Sequence, residues 1–134
     1  MPGIINKPPL TIDNITYEIK EGILFIKRSV RVQYTAETLN AHVMDRLAYT
    51  EGFSFPLVIY GQDMVSMDKP ARDFMVGECA KNTLSRAFVV EKPQGRLQLN
   101  FFTNTYKQPV PTEIFDSLEQ AIEWSKQFSR ILDI

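Results

Sequence analysis

Three observations predict a single α/β domain built on a mixed sheet of about five strands with about four helices. Strand-like runs and helix-like runs alternate along most of the chain, the order that produces a sheet covered by helices. The first two strand segments are separated by only Glu21-Gly22, so that pair is antiparallel, whereas the later strands are joined through helices, as parallel strands require. The length, 134 residues, fits one domain and leaves no room for a second of ordinary size.

The first fourteen residues carry Pro2, Pro8 and Pro9 and no hydrophobic period, which predicts an irregular arm over 1–14 and a domain over 15–134. Ile15, Tyr17 and Ile19 alternate with polar residues, as a half-buried strand does. After the Glu21-Gly22 turn, Ile23 to Ile26 is nearly continuous apolar sequence, the pattern of a central strand. Thr35 is a suitable N-cap, and Leu39, Val43 and Leu47 recur at every fourth position, predicting a helix that Gly52 ends. Phe55 to Tyr60 reads as a buried strand parallel to its neighbour, followed by the polar loop Gly61-Gln62-Asp63. Asp68 can cap a second helix with Pro70 in its first turn and Phe74, Met75 and Cys79 on its apolar side, broken by Asn82 to Ser85. Ala87 to Val90 reads as a fourth strand. Residues 96–107 fit both periods, and their length favours a helix. Val110 to Phe115, hedged by Pro109 and Pro111, reads as an edge strand. Ser117 and Gln120 form a capping box for a last helix whose apolar stripe Trp124 anchors.

Composition excludes several function classes. Fifteen basic against sixteen acidic residues leave a net charge of −1, which provides no field for a nucleic-acid partner or an acidic membrane surface. The one basic knot, Lys27, Arg28 and Arg31, is too small to change that. One cysteine and one histidine cannot build an internal disulfide, a Cys/His metal cage or a cysteine redox pair. No glycine-rich phosphate loop, nucleophile elbow or zinc-protease motif is present, so neither a cofactor nor an enzymatic activity is expected. The start, MPGIINKPPL, lacks a basic head and apolar run of the secretory type, and no apolar stretch is long enough to span a bilayer, so a cytoplasmic protein is expected.

The element order, with Val-Ser-Met-Asp opening the second helix, resembles the STAS superfamily, whose best-known members are anti-sigma-factor antagonists. The resemblance is strongest over PLVIYGQDMVSMDKPARDFM (56–75), which is similar to the strand, loop and helix start carrying the family's Met-Asp-Ser-Ser-Gly motif. The end of the chain, VPTEIF (110–115) leading into SLEQAIEWSKQF (117–128), is more similar to small bacterial STAS-like proteins of unknown function, often grouped with the CRAL-TRIO lipid-transfer fold. The resemblance spans roughly residues 15–130 and implies a regulatory or protein-interaction module. In the regulatory members the serine after Met-Asp is phosphorylated, and that charge switches partner binding. Here Lys69 holds that place and Pro70 and Ala71 follow, so the phospho-switch is lost unless Ser66 has taken it over.

Two residue groups are candidate sites. Gln62, Asp63, Ser66, Asp68, Lys69, Arg72 and Asp73 cluster after an inner strand, where open α/β sheets bind ligands, and form a candidate protein-partner surface. The plainer reading of the same charges is helix capping and surface ion pairs. Leu99, Phe101, Phe102 and Tyr106 form a candidate apolar-ligand or dimer face, as a lipid-binding alternative suggests; core packing is the plainer reading. Adjacent phenylalanines cannot both face one core, which leaves one of them for a partner. His42, beside Leu39 and Val43, reads as a helix-surface or core-margin residue and not a general base, and Cys79, on the buried side of the second helix, as a small packed hydrophobe and not a nucleophile.

Overall fold

The structure is a computed structural model, and it describes residues 4–129. The outer ends of the expected arm and domain, 1–3 and 130–134, lie outside the described residues. Eight strands and four α-helices follow one another among the described residues: β1 (Lys7–Ile12), β2 (Ile15–Lys20), β3 (Ile23–Arg28), β4 (Val32–Tyr34), α1 (Ala36–Thr50), β5 (Phe55–Gly61), β6 (Met64–Met67), α2 (Lys69–Met75), β7 (Thr83–Val89), α3 (Pro93–Thr105), β8 (Thr112–Phe115) and α4 (Leu118–Lys126). A short 3-10 turn, Glu78–Ala80, lies between α2 and β7.

The main sheet has six strands, one more than the sequence suggests, in the order β1-β2-β3-β5-β7-β8. Strands β1, β2 and β3 run antiparallel, and β3, β5, β7 and β8 run parallel. The β2–β3 turn places Glu21 and Gly22 at φ 51° and 74°, the left-handed pair that a two-residue hairpin needs. Strands β5 and β7 lie inside the sheet and are covered on both faces, which is why their apolar letters do not alternate. One face packs against α1, α2 and α3 through Leu39, Met75, Phe88, Leu99 and Phe102. The other face packs against α4 through Phe25, Val58, Ala87, Val89 and Ala121. Among the described residues no helix is long and apolar enough to cross a membrane.

The extra strand comes from the segment expected to be an irregular arm. Residues 7–12 pair along the edge of β2, with a register shift between Lys7 and Leu10 where the two prolines sit. An edge strand tolerates proline because one row of its N–H groups faces no neighbour. Lys7 fixes the strand in place: its ammonium donates to Tyr49 O at 2.8 Å, at the carboxyl end of α1, and pairs with Glu51 at 3.0 Å.

Two other expectations need correction. The second helix stops at Met75, short of Asn82, because Gly77 follows in a non-helical conformation. The fourth strand begins at Thr83, not Ala87: Ser85 and Arg86 are fully buried in it, and their polar letters hide the strand in the sequence. A small parallel sheet of β4 and β6 forms beyond the ends of β3 and β5, and neither short strand was expected. This small sheet sets Ser66 and Met67 directly ahead of α2.

Candidate functional site

The two candidate groups, within 62–73 and 99–106, meet across one groove. Ser66 and Met67 on β6, Arg72 on α2, and Leu97, Phe101 and Phe102 on α3 line a depression of about 340 Å³. The sequence did not point to Leu97 or Met67. Leu97 and Phe101, four apart on α3, are 69% and 60% exposed, while Phe102 beneath them is buried. The i, i+4 spacing of two large apolar residues off the buried Leu99–Phe102 stripe is the one sequence signal that would have found this face.

Arg72 holds the groove together. Its guanidinium donates to Met67 O at 2.7 Å and, through Nε, to the Tyr106 hydroxyl at 3.3 Å, so it ties α2 to the end of α3. Tyr106 stacks on Phe102 with ring centroids 5.5 Å apart. Arg72 is half-buried, and no carboxylate pairs with it among the described residues.

The other members of the first group are placed elsewhere. Asp68 caps α2, accepting from Ala71 N at 2.9 Å. Lys69 and Asp73 form an exposed i, i+4 pair at 3.0 Å, and the hydrogen bond to Asp73 raises the lysine's pKa. The position where the resemblance expects a phosphorylatable serine is therefore a lysine already held by a neighbour. Gln62 is exposed, and its backbone exchanges hydrogen bonds with Arg28. Asp63 points away from the groove, against Gly95 in the first turn of α3. A Cβ on Gly95 would come 2.6 Å from Asp63 Oδ2, so glycine there makes room for the carboxylate. Of the second group, Leu99 and Phe102 belong to the core, Tyr106 is half-buried and Phe101 faces outward.

His42 and Cys79 lie away from this groove. His42 packs edge-on against the Tyr34 ring at 5.6 Å, and burial lowers its pKa below the usual 6.5. The folded chain thus holds a neutral imidazole that the unfolded chain protonates more readily. The stability it contributes is present above the unfolded pKa and is lost as pH falls through about 6.5 toward the lower folded value. Urea denaturation between pH 7.5 and 5.5 should show stability falling with pH in the native chain and falling less steeply in His42→Phe. Burial likewise raises the Cys79 thiol pKa, which leaves it a poor nucleophile. Among the described residues no three His, Cys, Asp or Glu side chains gather where they could hold a metal ion.

A mixed six-stranded sheet with three helices on one face and one on the other defines a protein of SpoIIAA-like, or STAS-like, fold. The chain belongs to a family described only as a domain of unknown function, DUF7793, which matches residues 17–129. A solved structure with the same fold is that of an uncharacterised DUF3478-family protein from Shewanella loihica PV-4, described as having a SpoIIAA-like fold. It is 13% identical and superposes with a TM-score of 0.50 over 93% of this chain and 98% of that one. At that identity the likeness shows the fold alone. No curated protein matches the chain.

Proposed function

We propose that this protein is a non-catalytic interaction module and that the groove between β6, α2 and α3 takes an amphipathic segment of a protein partner. The observation that carries the reading is the pair Leu97 and Phe101, two large apolar side chains left in water beside a guanidinium that no carboxylate among the described residues pairs with. Burying such side chains is worth roughly 1.5–3 kcal/mol each, and aromatic and arginine side chains are the usual anchors of protein interfaces. The segment that fits presents apolar residues to Leu97 and Phe101 and a carboxylate to Arg72. Of the charged cluster expected around Gln62 to Asp73, Ser66 and Arg72 line this groove.

Leu97→Asp and Phe101→Asp remove the apolar contact without disturbing the core, so their stability should stay within about 1 kcal/mol of the native chain. Affinity purification from the native cell, with Met44→Asp as an exposed apolar control on α1, tests the reading. A partner retained by the native chain and Met44→Asp but lost from both groove variants supports it. A partner retained equally by all four proteins places binding elsewhere. An apolar small-molecule ligand is the competing reading, and a bound small molecule in the native mass spectrum, lost from the groove variants, would favour it.

A further inference from the structure

Three arginines from three elements surround one interior cavity of about 70 Å³ between the sheet and the helices α1 and α2. They are Arg28 at the end of β3, Arg46 on α1 and Arg86 in β7. Their exposures are 7%, 3% and 1%. Among the described residues no aspartate or glutamate lines the cavity, and none of the three arginines forms an ion pair. Their donors go to neutral oxygens instead. Arg28 donates to Gln62 O and the Tyr34 hydroxyl, Arg46 to the carbonyls of Cys79 and Lys81, and Arg86 to Met75 O and Gln108 Oε1. Arg86 Nε is buried with no partner.

The described wall has no anion of its own to offer. Burial raises the pKa of both Tyr17 and Cys79, so the phenol and the thiol stay neutral near pH 7, and His42 is neutral or cationic. Arginine keeps its charge even where burial lowers its pKa. The remaining wall is apolar, with Leu39, Leu57, Ile59 and Phe88 among its residues. Buried charges are ordinarily paired, and uncompensated ones cost several kcal/mol each. Three guanidiniums around one cavity, with no counterion among the described residues, are therefore unfavourable for stability alone and suited to receiving a negative ligand.

We propose that this cavity binds a small organic monocarboxylate, whose carboxylate is the missing counterion and whose short carbon body lies against the apolar wall. A cavity of about 150 Å³ holds a benzene ring of six carbon atoms, so this one, at about 70 Å³, accommodates roughly three or four non-hydrogen atoms, an acid of one or two carbon atoms. The apolar wall favours a carboxylate with a hydrocarbon body over phosphate, which has none. This site is separate from the groove and stands or falls independently of it.

Thermal unfolding of the full chain at constant ionic strength, in chloride and then with formate, acetate, butyrate, inorganic phosphate or acetamide, tests the proposal. At a hundredfold excess over Kd, formate or acetate should raise Tm by on the order of 8 °C, with acetamide and the oversized butyrate giving no shift. Val43→Met, which extends a side chain of the cavity wall, should fold and lose at least half of that shift. Arg86→Gln should lose it as well, and Val43→Met decides the matter if that variant does not fold. No shift with any acid overturns the proposal. So does an equal shift with acetamide, a shift with phosphate alone, or an undiminished shift in Val43→Met.

Discussion

Phe102→Ala is expected to lower stability by about 4 kcal/mol, while the same change at its neighbour Phe101 stays within about 1 kcal/mol. Phe102 is 1% exposed, stacks on Tyr106 and packs with Leu99, Phe88 and Met75 between α3 and the sheet. Removing the ring deletes those contacts and leaves a cavity that a helix pinned by the Arg72–Tyr106 hydrogen bond cannot easily collapse. Phe101, about 100° further round the same turn, faces water, and its loss removes little packing. Urea denaturation of the two variants separates them, and the Tm difference should be roughly 10–15 °C. Equal losses would mean that α3 is rotated from the orientation described, and the outward Leu97–Phe101 face would go with it.

Gly61→Ala is the second large effect, expected at about 3 kcal/mol or more. Gly61 ends β5 at φ 100°, where a side chain is strained in any surroundings. An added Cβ would also overlap the backbone oxygen of Arg28 and lie 2.9 Å from Arg28 N, on the paired strand β3. Backbone held in a parallel ladder cannot move aside as a flexible side chain would. The close approach also lets Gln62 and Arg28 exchange hydrogen bonds, which fixes the loop leading to β6. Gly52→Ala provides the comparison: φ is 81°, but no atom lies within 4 Å of an added Cβ, so only the backbone term of about 1 kcal/mol remains. Chemical denaturation of both variants should rank Gly61→Ala well above Gly52→Ala.

The parts of the fold that were legible in the sequence are those set by local chemistry. Glu21-Gly22 marks the hairpin, Thr35, Asp68 and Ser117 cap the helices they precede, and the runs at 23–26 and 56–60 mark inner strands. The parts that were hidden are set by tertiary contacts. Pro8 and Pro9 argue against a strand until Lys7 finds the carboxyl end of α1. Ser85 and Arg86 look like a surface until β7 lies between β5 and β8. Strands β4 and β6, at three and four residues, carry too little pattern to read.

The site divides in the same way. The residues around the start of α2 were visible as a charged cluster and those of α3 as an aromatic run. Their meeting depends on Arg72 reaching Tyr106, 34 positions away, which no local period encodes. The three interior arginines had even less signal. Arg28 read as part of a surface knot with Lys27 and Arg31, yet the strand turns it inward while Lys27 and Arg31 stay exposed.

The claim that the β6–α2–α3 groove receives a protein partner is tested most directly by photo-crosslinking in the native cell. A benzophenone amino acid would be placed at Phe101 in one protein and at Met44, exposed on α1, in another. Crosslinking of one discrete partner from position 101, abolished by Leu97→Asp and absent from position 44, is the expected result. The same partner captured equally from both positions, or no crosslink from position 101 when the protein co-purifies with a partner, would contradict the account.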